Sequence, residues 1–203
     1  MGSSGAKEVM AKAYDELLDL SEFDGQSLIA KYIHQGGDIN NYATTWEYVA
    51  FTYSLAFDEL ARKAYEPGHR VNHLSIPLFF LARHSVELEL KSAIIEYAGT
   101  DETLPKIDGH DLVSLWNQLS AYMARWGNPT TDDWGVIVAK QIADIQEVDP
   151  KGDRFRYPTD IKGKRFELTH VELAGLILAH NSIATYLDAC ATMHSEGYRN
   201  ESR

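Results

Sequence analysis

The sequence predicts an all-α fold, a helical bundle with one short β-hairpin or loop insertion near residues 153–168. Three observations lead there. Several long segments repeat their apolar residues at steps of three and four, the spacing of one buried helix face. Those segments are bounded by helix starts and stops, such as Asp132-Asp133, Gly99 and the Thr169 to Glu172 capping box. Only residues 153–168 abandon the helical period and alternate instead. With 203 residues, 44% of them apolar and 24% charged, the chain is long enough to bury a core as one domain.

The elements follow in order. Residues 6–20 combine helical spacing with strong helix formers, and residues 21–35 form a second short helix closed by Gly36-Gly37. Residues 41–65 form a long helix with Trp46, Val49, Ala50, Tyr53, Phe57, Leu60 and Ala61 on one face, stopped by Pro67-Gly68. Residues 73–98 form a helix in which Pro77 either lies in the first turn or kinks it there, and which beyond Pro77 is apolar on most sides, so it is central. After a loop over residues 100–109, a helix over 110–123 places Leu112, Leu115, Trp116 and Leu119 together. Another begins at Asp132-Asp133, where acids suit the positive end of the helix dipole, and carries Trp134, Ile137, Val138, Ile142 and Ile145. In residues 153–168 the segments RFRY and RFEL alternate around TDIKGK, and Pro158 forces an edge or an early end. The last helix runs to about Ala191 with Leu173, Leu176, Ile177, His180, Ile183, Ala184 and Leu187 facing the core. The polar stretch from Ser195 is expected to fray.

Composition narrows the function classes. The net charge of −11 counts against a broad nucleic-acid platform, though not against a small basic site. The one basic stretch is residues 151–165. No apolar run is long enough to span a bilayer, and the first residues lack a secretory pattern, so a cytoplasmic protein without membrane contact is expected. Cys190 is the only cysteine and lies among apolar residues, where it packs as a small hydrophobe. Phosphate-binding glycine loops, an HExxH motif and a Gly-x-Ser-x-Gly elbow are all missing. His69 and His73 lack a third ligand at diagnostic spacing, so neither metal nor cofactor is expected.

Four groups of residues carry the candidate chemistry. Arg83, Glu87 and Lys91 lie four apart on one helix face. They form either a solvated face of ion pairs or a polar network inside a cleft, where charges are tolerated only when paired. His84 beside them is either a core histidine or part of that cleft. His110-Asp111 opens a helix, with Asp111 placed to cap it and His110 free to point into the same cleft. Arg154, Arg156 and Tyr157, with Arg165 and His170, are either an exposed basic loop or a phosphate-holding element beside a helix start. A histidine in a first helical turn is biased toward the neutral form by the dipole, which suits a base near neutral pH.

The segments LARHSVELELK (from Leu81), GHDLVSLW (from Gly109) and DRFRYP (from Asp153), followed by a long last helix, resemble the HEPN-like helical proteins of prokaryotes in order and spacing. The resemblance covers residues 76–191. It implies a core bundle over residues 71–194, variable N-terminal helices over 1–70 and a flexible tail over 195–203. It also implies a homodimer, working in a toxin–antitoxin or phage-defence system. Many members are metal-independent endoribonucleases with an Arg, four to six residues, then His. Arg165 and His170 match that spacing. Others are binding or scaffold subunits acting with a partner protein encoded nearby. The resemblance therefore leaves two functions open: RNA cleavage by catalytic residues among Arg83, His84, His110, Arg165 and His170, or binding of RNA, a nucleotide or a partner. In either case Glu87, Lys91, Asp111, Arg154, Arg156 and Tyr157 line the polar cleft.

Overall fold

The structure is a computed structural model that describes residues 12–18, 41–66, 73–99, 105–167 and 172–201. The chain divides into two units, Met1–Ile39 and Asn40–Arg203. In the first, residues 12–18 are helical, with Lys12 and Glu16 paired at 3.7 Å. The helix expected over residues 21–35 and the candidate metal ligand His69 lie outside the described residues.

The second unit is all-α. A 3-10 turn, Asn41–Thr44, leads into α1 (Trp46–Tyr65), α2 (Ser75–Ala98), α3 (Leu112–Arg125), α4 (Asp133–Val148) and α5 (Leu173–Glu201). The N-terminal caps are written in the sequence. Thr45, Asp111 and Asp132 each accept a backbone N–H three residues on, at Tyr48, Ser114 and Gly135. Each satisfies a donor that the helix start would otherwise leave unpaired.

The central element is α2, which packs against α1, α3 and α5, while α4 bridges α3 and α5. Fourteen of its 24 residues are buried, so no single face of it points to water. The core joins Phe57 and Ala61 of α1, Leu78, Val86, Leu90 and Ile94 of α2, Leu112 and Leu119 of α3, Ile142 of α4, and Ile183 of α5. Burying each large side chain of this kind stabilises the fold by about 1.5–3 kcal/mol relative to exposure. Helix α1, grouped by the resemblance with variable N-terminal helices, is thus part of this core.

Two expectations are corrected, and one alternative is decided. Trp46, expected on the buried face of α1, is exposed. The last helix does not stop near Ala191. His194 is buried, stacked on Tyr97 at 4.2 Å and edge-on to Trp126 at 4.7 Å, and this anchor carries the helix on to Glu201. Of the hairpin and the loop, residues 153–167 take the loop and form no strand. A single antiparallel bridge joins Thr159 to Arg165 around the positive-φ Gly163. Pro158 has no N–H to extend a ladder, and a two-stranded ribbon without a sheet beside it is marginal. The insertion is a loop, fastened to the bundle by Phe155 stacked on Phe79 at 4.0 Å. The capping box at Thr169 lies outside the described residues.

Candidate active site

The stripe Arg83, Glu87 and Lys91 is buried, with 4%, 4% and 5% of each residue exposed. Four-residue spacing brings the three side chains into line on α2, and Glu87 sits between two cations. Its Oε2 accepts from Arg83 Nη1 at 3.2 Å, and its Oε1 accepts from Lys91 Nζ at 2.8 Å. Burial pushes the Glu87 carboxyl up, but hydrogen bonds and charge from Lys91 and His110 outweigh it and hold the group below the usual carboxylate range.

Arg83 spends its donors inside the protein. Nε donates to the Asp149 carbonyl at 3.0 Å and Nη2 to the His110 carbonyl at 2.8 Å. The Asp149 carboxylate lies 3.7 Å from Nε and accepts the N–H groups of Asp153 and Arg154. Gly152 lets the following turn close over the guanidinium. Its φ is +70°, and a Cβ there would sit 2.8 Å from Arg83 Nη1. Two cations, Arg83 and Lys91, thus face two carboxylates, Glu87 and Asp149. Buried charges persist only with such pairing.

His110 stands at the mouth of this network. It precedes the α3 cap, so its ring is not committed to the helix. Nδ1 lies 2.8 Å from Glu87 Oε1, and 69% of the side chain is exposed. An ionised carboxylate only accepts, so Nδ1 carries the proton of that bond and Nε2 is left for another partner. The residue is held twice: its ring by Glu87, its carbonyl by Arg83. A buried carboxylate orienting an exposed imidazole is a workable acid–base unit.

The remaining predicted residues distribute around it. His84 is half-buried, edge-on to Tyr53 at 4.5 Å and stacked with Phe80 at 5.5 Å. Burial lowers its pKa first; Glu87 opposes this, and Arg156, Arg83 and Lys91 reinforce it, which favours the neutral ring. Lys91 lies 5.9 Å from the Trp46 ring. Arg156 is exposed, tied by Nε to the Gly152 carbonyl, with its guanidinium 5.7 Å over the exposed Tyr157 ring. Arg154 lies 6.0 Å over Phe166. Asp111 acts as a cap and accepts from Gln146 at 3.2 Å. Arg165 stands apart, exposed in its bridge with Thr159, and His170 lies outside the described residues.

Sequence reasoning missed Asp149, which is 1% exposed and holds both Arg83 and the loop. Its signal was the Asp149-Pro150-x-Gly152 turn directly after a helix. Among the described residues no group of three or more His, Cys, Asp and Glu is placed to hold a metal ion, and no helix is long and apolar enough to cross a membrane. Comparison with protein-family models, with curated proteins and with solved structures finds no match.

Proposed function

We propose that this chain is a HEPN-like, metal-independent endoribonuclease, cytoplasmic and acting as a homodimer, with His110 as its acid–base group. The observation that carries the reading is the Glu87–His110 pair, a 2.8 Å bond that fixes one ring nitrogen and leaves the other at an exposed surface. RNA suits such a site because it brings its own nucleophile. His110 Nε2 takes the proton of the 2′-hydroxyl, the 2′-oxygen bonds to phosphorus, the P–O5′ bond breaks, and the departing oxygen takes a proton from solvent. The products are a 2′,3′-cyclic phosphate and a 5′-hydroxyl. Arg156, on the exposed loop, supplies the charge that the phosphate needs. Arg83 is a positioning residue, because its donors are bound to Asp149, Glu87 and the His110 carbonyl.

That same commitment of Arg83, together with the net charge of −11, favours a second reading: a non-catalytic module that binds a small ligand or a partner protein at this mouth. Incubation of end-labelled RNA with the purified chain in excess EDTA separates the two. The nuclease reading expects cleavage with cyclic-phosphate ends, lost in His110→Ala and weakened in Arg156→Ala. Cleavage that survives His110→Ala but not His170→Ala moves the site to the Arg165 and His170 pair. No cleavage by folded wild type overturns the nuclease reading in favour of the binding module.

A further inference from the structure

The opposite side of α2 carries a second cluster of charge with another character. A groove of about 510 Å³ runs between α1, α2 and α5. That volume is in the range of small-ligand sites. Ala50, Ala93, Ala184, Leu187 and Ala191 give it an apolar floor, and Glu47, Glu89, Glu96 and Asp188 ring it with carboxylates. Among the described residues that line it there is no lysine or arginine.

Two observations go beyond an acidic patch. Glu89 Oε2 is buried and has no hydrogen-bond partner. A buried polar atom without a partner costs about 1–3 kcal/mol. The carboxylates also crowd one another: burial first, then Glu47 and Asp188, raise the pKa of Glu96. The arrangement lacks the convergence of three ligands that a metal ion needs. Spread acids above an alkane-like floor match an elongated organic cation instead.

We propose that this groove binds an aliphatic ammonium, either a linear polyamine or a lysine side chain, with Glu89, Glu96 and Asp188 receiving the charge and the alanine floor receiving the methylenes. The methylene stem of such a cation covers apolar surface while its head meets acid. Binding is linked to protons. Burial, opposed by a hydrogen bond from Ser54 and aided by Asp58 and Asp188, pushes Glu89 up to about 7. The charged groups facing it from α1 and α5 are thus also acids, with Arg62 acting on Asp58 rather than on Glu89. An incoming cation draws off the Glu89 proton, so affinity rises from pH 6 to pH 8.

Calorimetric titration of the full chain tests this, with spermidine, the tripeptide Gly-Lys-Gly and MgCl2 as probes. Saturable spermidine binding is expected, with proton release near pH 7 and roughly tenfold weakening in Glu89→Gln and in Asp188→Asn. Asp188 is exposed, so its variant keeps the test valid should Glu89→Gln fold poorly. Asp144→Asn on α4, outside the groove, is expected to leave affinity unchanged. Tighter binding of Gly-Lys-Gly than of spermidine supports the site and assigns its source to a protein side chain. Equal weakening by Asp144→Asn means diffuse attraction to net charge and overturns the proposal. So does binding of magnesium alone, or of no probe.

Discussion

Two glutamates two positions apart on α2 face opposite fates. Glu87 lies between Arg83 and Lys91, bonded to both and to His110, and its carboxyl is held low. Glu89 faces Ser54, Asp58 and Asp188, one of its oxygens has no partner, and its carboxyl is pushed up to about 7. The helix, the residue type and the solvent are common to both. What differs is the sign of the charge that packing brings opposite each of them. On one side a carboxylate is a structural keystone that positions an imidazole. On the other it is a stored electrostatic penalty that a cation would relieve.

The comparison is broken most directly at Glu87. Glu87→Ala leaves Arg83 and Lys91 without their shared carboxylate, and breaking a buried pair in this way costs about 3–5 kcal/mol. Urea denaturation of wild type and variant measures it. The Glu87 carboxyl is lowered in the fold, so its contribution is present above the usual value of 4.5 and is lost as pH falls through the folded value. The gap between the two proteins closes accordingly in acid.

Glu89→Gln is expected to move stability the other way. A carboxyl raised from 4.5 to about 7 favours the fold while it holds its proton below 4.5, and loses that advantage as pH rises through 7. The variant is therefore level with wild type near pH 4.5 and more stable at pH 8, by at most on the order of 3 kcal/mol. A variant less stable than wild type at pH 8 would mean that Glu89 is paired as Glu87 is, and the contrast between the two sides would fail. Gly152→Ala sharpens the first side again. It forces a φ of +70° on a residue with a Cβ and presses that carbon into the Arg83 guanidinium, so about 1–3 kcal/mol of stability is lost.

The sequence carried the helical period, the N-terminal cap at Asp111, the helix start at Asp132-Asp133, and the alignment of Arg83, Glu87 and Lys91, because all of these are local. Burial of the stripe was undecided for a physical reason: Glu and Lys four apart look the same on a solvated face and in a core. The deciding partners are remote in sequence. Asp149 lies 66 residues from Arg83, and His110 lies 23 from Glu87. The same limit hid the groove, whose acids come from α1, α2 and α5. It also hid the end of α5, where the contact of His194 with Tyr97 and Trp126 overrides a polar composition. His180, read as a core-face residue, is 1% exposed and bonded to Ser85 at 2.7 Å, with burial lowering its pKa to about 4.

The smallest expected effect on stability is the most informative about function. His110 is 69% exposed, so its bond to Glu87 is weakened by solvent and is worth no more than about 1 kcal/mol. Glu87 keeps Arg83 and Lys91 when the ring is removed, and the buried network stays neutral. His110→Gln should thus unfold at nearly the same urea concentration as wild type while losing RNA cleavage or ligand binding at the mouth. A loss of both together, with a shift as large as that of Glu87→Ala, would place His110 with the structural residues. The exposed imidazole would then be a plug on the Arg83 network and no longer a candidate base. A loss of function alone would separate the two roles that Glu87 joins: it neutralises the cations behind it and aims the imidazole in front of it.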